Sequence, residues 1–404
     1  MKEKCLIYLI CFTFTLLTPG LNPAGSFSAE IKYDDSIKPY VEFLKKQNTT
    51  PVDYIMELFE KYEIVILCER YHTETTQYDM LFDLISDKRF QKKIGNIFTE
   101  VGSVSISNKM HQFLTTKGLS DVQIEKGALD IYRNLTWFPV WDKTNFFEFI
   151  KKAYKLNQNL SGDEKILIHP CDMAMDWNAM TPEKYKEFEK TLENRDRFMA
   201  ENIINTVKSF EKDGAKRKKA LVIMNYRHAF NDKFKFLLGG DPPENTGRYI
   251  FEAFPGKAAN VMINSLKLLP GTTDQKAVDT PLNDGKWDAA FKTAGNKSVG
   301  FNFEGSPFGL DFFDYFAFIP HLCYYRHVFT GYIFHKPLEE HVQKLGIPGF
   351  MDDGYDSIIA ERCSKCGESS VEVALYMQMK KNEIKTFKYD KLDEHKKKID
   401  QWLK

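Results

Sequence analysis

The sequence predicts an α/β fold with a mainly parallel central sheet flanked by helices. Amphipathic helical patterns alternate with short apolar runs, as in successive strand–helix–strand units. Such continuous runs are typical of strands buried on both faces of a sheet. With 404 residues, of which 43% are hydrophobic, the chain is long enough to build a large core. The four clearest runs are Ile64–Leu67, Asn96–Val101, Lys165–Asp172 and Ala220–Met224.

The first residues are predicted to lie outside this fold. Two lysines precede an apolar run from Cys5 to Leu17, which is shorter than the roughly 20 residues that a membrane-spanning helix needs. A zone of small residues then ends at Ser28. This pattern is typical of a secretory signal peptide, with an uncleaved anchor as the alternative. We therefore expect a signal peptide over 1–28 and a single exported domain over 29–404, periplasmic or extracellular and without stable membrane insertion.

Charge argues against several classes of partner. The chain carries 56 basic and 56 acidic side chains, and removal of the signal peptide would leave one more acidic than basic residue. A balance of this kind does not favour nucleic acid or an anionic membrane surface. The expected partner is a small-molecule substrate.

Helical patterns fill the intervals between the strands. We expect helices within residues 30–62, from Thr73 to Ile85, and from Thr181 to about Lys212 with Arg195 in the middle. Residues 103–160 lack strong strand signals and carry the aromatic run Trp137–Trp141, which predicts a helical insertion between the second and third strands.

The last third of the chain is predicted to elaborate the fold. This C-terminal portion begins at about residue 265, and a charged helical tail is expected over 380–404. Further strands are predicted at Asn260–Ile263, Val299–Phe303 and Phe329–Phe334.

Polar residues follow the apolar runs at the point where each predicted strand ends. In open α/β sheets, ligands bind beyond the carboxyl ends of the strands, so these side chains are candidates for chemistry. A right-handed crossover from the first strand to the second would place Glu100 beside Glu69 and His72. The candidates in chain order are Glu69, Arg70, Tyr71, His72, Glu100, Asp172, Asn225 and His228.

The order of these motifs resembles the erythromycin-esterase family, within a wider group that includes ChaN-like haem-binding lipoproteins and TraB/Tiki-type proteins. The resemblance spans roughly Glu63 to Phe230, and its most specific part is the RDRFMAEN segment, Arg195–Asn202. One departure is Cys68, which stands where the family has a glycine before its glutamate. Tyr71 and Thr73, on either side of the histidine, also differ from the family pattern.

The resemblance implies a hydrolase in which His72 activates water for attack on an ester, without a required metal. A neutral imidazole has a pKa of about 6.5 and can accept a proton near neutral pH, with Glu69 or Glu100 orienting it. Arg195 would stabilise the oxyanion or hold a substrate carboxylate, and His228 would assist the leaving group or position the substrate. The residues predicted to contact substrate are Arg70, Tyr71, Asp172 and Asn225.

Three alternatives remain at this stage. His72, His228 and a carboxylate from Glu69 or Glu100 have the ligand types of a zinc or manganese site in a Tiki-type metallohydrolase. A ChaN-like, non-enzymatic haem-binding protein is the second alternative. In the third, Glu69, Glu100 and Arg195 form an ion-pair network that only holds the strand ends together. No cofactor is expected for the esterase, whereas the first two alternatives imply a divalent metal or haem.

Overall fold

A computed structural model of the protein describes residues 31–135, 143–231, 244–269, 278–315, 323–352, 354–367 and 384–404. The predicted signal peptide, residues 1–28, and the aromatic run Trp137–Trp141 lie outside the described residues.

Eleven strands are present among the described residues. They are β1 (Ile64–Glu69), β2 (Asn96–Ser103), β3 (Leu167–Asp172), β4 (Ala220–Asn225), β5 (Ala258–Ile263), β6 (Leu266–Leu269), β7 (Val278–Pro281), β8 (Val299–Asn302), β9 (Gly331–Phe334), β10 (Gln343–Leu345) and β11 (Lys385–Phe387).

A central sheet of seven strands confirms the predicted fold class. Its order is β3-β2-β4-β1-β5-β9-β8. The first six strands in this order run parallel, and β8 at the edge is antiparallel to β9. β6 pairs with β7, and β10 pairs with β11, in two small antiparallel sheets. The polar residues that follow β1 to β4 therefore lie at one edge of one sheet.

Helices cover both faces of this sheet. Three of them, Ser107–Thr115, Asp121–Tyr132 and Thr144–Asn157, lie between β2 and β3, where the sequence predicts a helical insertion. Among the described helices, none is long and apolar enough to cross a membrane. The helices are α1 (Lys38–Lys45), α2 (Pro51–Lys61), α3 (Thr76–Ser86), α4 (Lys88–Lys93), α5 (Ser107–Thr115), α6 (Asp121–Tyr132), α7 (Thr144–Asn157), α8 (Pro182–Thr191), α9 (Arg195–Lys212), α10 (Thr246–Ala253), α11 (Lys286–Thr293), α12 (Tyr355–Lys365) and α13 (Leu392–Asp400).

The alternation of side chains along β1 explains the layers. Val65 and Leu67 belong to one buried cluster, which includes side chains of α2, α3 and α7. Ile64 and Ile66 belong to a second cluster, which includes side chains of α1, α9 and α11. Successive strand residues point to opposite faces, so a strand that is apolar throughout must be covered on both sides.

Two predicted helices need correction. The long helix expected from Thr181 to Lys212 is interrupted by a 3-10 turn at Leu192–Asn194, so Arg195 begins α9 rather than lying in the middle of a helix. Long-range contacts of Arg195 and Asp196, described below, fix the chain at this break. The tail expected to be helical over 380–404 contains β11 before α13, because β11 pairs with the distant β10.

The expected neighbourhood of β1 and β2 is also corrected. β4 lies between them, so the two strands are not adjacent. Residue Asn225 of β4 pairs in register with Glu69 of β1, and its backbone N–H donates a hydrogen bond to Oε1 of Glu100. Asn225 of β4 therefore pairs with Glu69 in the sheet and also donates its backbone N–H to Glu100.

Candidate active site

The site begins with a buried carboxylate that holds a histidine. Glu69 is the last residue of β1 and is 2% exposed, whereas the His72 side chain is 27% exposed. Nδ1 of His72 donates to Oε2 of Glu69 at 2.8 Å. The hydroxyl of Tyr78, in α3, donates to Oε1 of the same carboxylate at 2.7 Å. Because Nδ1 carries the donated proton, Nε2 is the basic nitrogen of neutral His72.

Surrounding charges set the protonation of His72. Burial alone would lower its pKa from the ordinary value of 6.5. The charge and hydrogen bond of Glu69, with a further contribution from Glu100, outweigh burial and raise the pKa. The imidazolium form of His72 is therefore more stable than that of a free imidazole, which assists a base that accepts a proton during catalysis.

Glu100 lies at the centre of the cluster. Its side chain is completely buried, and Oε1 accepts the Asn225 N–H. Among the described residues, none donates a hydrogen bond to Oε2, which lies 3.5 Å from Nε2 of His228 and 3.6 Å from Nη2 of Arg195. Burial would raise the pKa of Glu100, but His228, His72 and Arg195 lower it below its usual range. Glu100 is therefore a buried, ionised carboxylate whose Oε2 faces Arg195 and His228.

Arg195 is held by a two-point contact with Asp172. Its Nε and Nη2 donate to the two oxygens of Asp172 at 2.9 and 3.0 Å. Asp172, at the end of β3, also accepts the backbone N–H of Met173 at 2.8 Å. Although burial opposes the charge on Arg195, Asp172 and Glu100 raise its pKa. Parallel bonds of this kind fix the guanidinium plane, so Arg195 presents a rigid positive charge to the site.

A second histidine is also backed by a carboxylate. Nδ1 of His228 donates to Oδ1 of Asp196 at 2.8 Å. The backbone N–H and the hydroxyl of Thr246 also donate to Oδ1 of Asp196, at 2.8 and 2.7 Å. Burial would raise the pKa of Asp196, but the bonds from His228 and Thr246 lower it. Sequence reasoning did not select Asp196 as a site residue, although it follows Arg195 directly in the RDRFMAEN segment.

One group of side chains in the described ranges could hold a metal ion. Glu69, His72 and Glu100 each offer a ligand atom, and these atoms lie within 4.8 Å of one another. The predicted metal ligands were His72, His228 and a carboxylate from Glu69 or Glu100, whereas this set contains both carboxylates and lacks His228. Two carboxylates and an imidazole suit a divalent transition metal with open coordination positions, so the donor set fits such an ion.

Two predicted substrate contacts lie outside this cluster. Arg70 is 1% exposed, and its Nη1 donates to Oε2 of Glu74 at 2.9 Å. Its Nε and Nη2 donate to the backbone and side-chain oxygens of Asn264, both at 2.5 Å. The Tyr71 hydroxyl donates to Asp279 at 2.5 Å. The structure therefore places Arg70 and Tyr71 in other polar networks and does not bring them to Glu100.

The departure at Cys68 does not disturb the strand. Its side chain is 2% exposed and packs within the second buried cluster, and Cys68 pairs in register with Met224 and Met262. A residue in regular extended conformation does not require glycine. β1 therefore positions Glu69 in the site although the preceding residue is a cysteine and not a glycine.

A cleft of about 490 Å³ opens among the loops that follow β2 and β3. Ser105 comes shortly after β2, and Met175 and Trp177 come shortly after β3. Arg362 of α12 also lines the cleft, with its guanidinium 5.2 Å from the centre of the Trp177 ring. The cleft therefore opens a few residues beyond the strands that carry Glu100 and Asp172, and none of the candidate site residues is among those that line it.

The chain matches no family model, and no match to a curated protein was found. A Bacillus cereus protein of known structure is 10% identical, with a TM-score of 0.49 over 74% of this chain and 97% of its own. A succinoglycan biosynthesis protein is 11% identical, with a TM-score of 0.45 over 75% and 98% of the two chains. A mutant of the erythromycin esterase EreC in its open conformation is 9% identical, with a TM-score of 0.35 over 76% and 98%. Similarity at these levels describes a distant likeness in fold and does not define an activity.

Proposed function

We propose that the protein is a hydrolase that cleaves an ester-like bond with water activated by His72. The observation that supports this most strongly is the contact between His72 and buried Glu69. It lies beside Oε2 of Glu100, which accepts no hydrogen bond from the described residues. A histidine oriented by a carboxylate is a general base whose other nitrogen faces away from its partner. A water molecule near Glu100 and Nε2 of His72 would have an acceptor for its proton.

In the proposed reaction, a water oxygen forms a bond to the carbonyl carbon while its proton moves to Nε2 of His72. The resulting imidazolium is stabilised by Glu69 and Glu100, which already raise the pKa of His72. The negative charge on the carbonyl oxygen is offset by Arg195, whose position is fixed by Asp172. The bond to the leaving oxygen then breaks, and that oxygen takes from Nε2 of His72 the proton that the water gave up. The products are an acid and an alcohol.

His72 and His228 are assigned different roles because they have different hydrogen-bond partners. Glu69 orients His72, and Asp196 orients His228, so each ring has a fixed direction. Nε2 of His228 faces both Glu100 and Arg195, at 3.5 Å each. This position suits a group that holds the substrate or the leaving oxygen beside Arg195.

A metal-dependent hydrolase is the second candidate, favoured by the grouping of Glu69, His72 and Glu100. A bound divalent ion would polarise a carbonyl and lower the pKa of water. The same three residues would hold it, with Arg195 still fixed by Asp172. Elemental analysis of the purified protein, followed by chelation and an activity assay, separates this candidate from the metal-free reaction.

Two further properties, export and haem binding, can be tested separately from hydrolysis. The N-terminal pattern of lysines, apolar run and small residues supports export, and the mass of the mature protein from the producing cell tests it. Haem binding was suggested by Tyr71, His72 and His228, of which Tyr71 donates its hydroxyl to Asp279. A Soret band upon haem titration would nevertheless bring that alternative back.

The proposed function is tested with a panel of aryl and alkyl esters of carboxylic acids. We expect turnover by the wild type and a large loss in His72→Gln, which keeps a polar side chain but cannot accept the proton. Equal turnover by the two proteins would contradict the proposal.

A further inference from the structure

We infer that Tyr78 is a positioning residue that fixes the tautomer of His72 through Glu69. This inference deepens the proposed function and rests on it for the catalytic consequence. Neither the sequence motifs nor the predicted site included Tyr78, which lies on α3. The hydrogen bond from its hydroxyl to Oε1 of Glu69 reaches the carboxylate that holds the histidine.

The geometry divides the two oxygens of Glu69 between two donors. Oε1 accepts from Tyr78 at 2.7 Å, and Oε2 accepts from Nδ1 of His72 at 2.8 Å. A carboxylate whose two oxygens are both engaged cannot rotate without breaking a bond, and Glu69 is only 2% exposed, so water does not readily replace a lost donor. The bond from Tyr78 therefore keeps Oε2 directed at Nδ1.

Packing holds the tyrosine in turn. Tyr78 is 5% exposed and its ring lies edge-on against Phe149 of α7, with ring centres 5.5 Å apart. Burial, and then the charge of Glu69, raise the pKa of Tyr78 well above its usual value, so its hydroxyl remains a donor. Phe149 of the helical insertion therefore packs against Tyr78, and Tyr78 in turn donates a hydrogen bond to Glu69 of the site.

The consequence for catalysis concerns which nitrogen carries the proton. With Glu69 fixed, neutral His72 keeps the Nδ1–H tautomer and leaves Nε2 basic. If Glu69 is free to turn, the Nε2–H tautomer becomes populated, and that form cannot accept a proton from water at Nε2. Loss of the tyrosine hydroxyl should therefore lower the fraction of productive enzyme without changing substrate binding.

The test uses Tyr78→Phe, which keeps the ring and its packing against Phe149. Nitrogen-15 NMR of ring-labelled histidine, at a pH where the neutral imidazole predominates, reports the tautomer of His72. We expect a mixture of tautomers in Tyr78→Phe, and a fall in kcat of about tenfold to hundredfold with KM changed by less than about twofold. Circular dichroism establishes that the variant is folded.

Tyr54→Phe is the matched control. Tyr54 is 4% exposed, and its hydroxyl donates to Asn302 at 2.8 Å in another part of the core. This change removes a buried hydroxyl of the same kind and should leave the His72 tautomer and kcat as in the wild type. If both variants lower kcat equally with no change in tautomer, the role of Tyr78 is merely structural and the inference is overturned.

A double-mutant cycle measures whether the effects of Tyr78 and Glu69 on kcat are coupled. If Tyr78 acts through Glu69, adding Tyr78→Phe to Glu69→Gln causes little further loss of kcat. Multiplicative losses would contradict the inference. The NMR result needs no substrate, so an altered tautomer in a protein without esterase activity would support the positioning role and reject the proposed function separately.

Discussion

Oε2 of Glu100 and Nε2 of His228 lie 3.5 Å apart, with Nη2 of Arg195 3.6 Å from the same carboxylate oxygen. The two residues come from β2 and from the turn after β4, and both are buried. A buried anion next to a guanidinium and an imidazole can serve as a structural network or as a site for chemistry. Substitution of the residues around this oxygen distinguishes the two roles.

Glu100→Gln should shift the pH dependence of activity. The Glu100 charge helps to raise the pKa of His72, so its removal should lower that pKa. His72 acts as a base when deprotonated, and the acidic limb of the kcat/KM profile should therefore move to lower pH, while the maximum rate falls by about tenfold or more. Glu187→Gln, on the exposed surface of α8, is the control and should leave the profile unchanged. An acidic limb that stays in place in Glu100→Gln would argue against the proximity of Glu100 to the base.

Arg195→Met should destabilise the fold. It would leave Asp172, which is 1% exposed, without its two-point partner. Removal of one member of a buried ion pair costs about 3–5 kcal/mol, measured as the free energy of unfolding in urea. Adding Asp172→Asn should recover part of this loss, because the uncompensated charge is then removed. If the double variant is less stable than Arg195→Met, charge pairing is not the main contribution.

Asp196→Asn should lower kcat/KM in the same way as removal of the His228 imidazole. Oδ1 of Asp196 accepts from both His228 and Thr246, so the amide disrupts the orientation of the ring. We expect Asp196→Asn and His228→Asn each to reduce kcat/KM, and the double variant to be little worse than the more damaging single one. Fully multiplicative effects would show that Asp196 acts independently of the histidine.

The pair of Arg70 and Glu74 should contribute stability that depends on pH. Burial alone would raise the pKa of Glu74, but Arg70 and His341 lower it to about 2 from 4.5. A lowered folded-state pKa gives stability that is complete above about pH 4.5 and is lost as the pH falls towards 2. Glu74→Gln should cost about 3 kcal/mol of unfolding free energy at neutral pH, and this difference should shrink in acid. A difference that is constant with pH would contradict the ion-pair account.

Much of the fold could be predicted from the sequence because its signals are local. The apolar runs of β1 to β4 identify buried strands, and the polar residues after them identify the reactive edge. The position of β4 between β1 and β2 depends on pairings between distant segments, and no local pattern reports it. The same holds for the break before Arg195, where contacts with Asp172 favour a turn within a sequence that is helical on both sides.

The candidate site was predictable in its main members but not in their supports. His72, Glu69 and Glu100 could be predicted because they come at the carboxyl ends of strands, where open α/β sheets bind their ligands. Arg70 also comes at the end of β1, but its side chain lies in a buried polar network. In the sequence, only Glu74, four residues later, indicated a local ion pair. Tyr78 carries no special pattern, since one tyrosine on a helix is ordinary. Asp196, by contrast, lies in the RDRFMAEN segment, which could have marked it as a site residue.

The most direct test of the account compares ester hydrolysis by the wild type and by His72→Gln, each before and after chelation, across the ester panel. The account predicts wild-type kcat/KM that is indifferent to chelator, and a loss of about a hundredfold or more in His72→Gln under both conditions. Turnover that disappears from the wild type upon chelation and returns with added metal would assign the reaction to the metal-dependent alternative. Turnover in folded His72→Gln equal to that of the wild type, or no turnover of any ester by the wild type, would contradict the central claim.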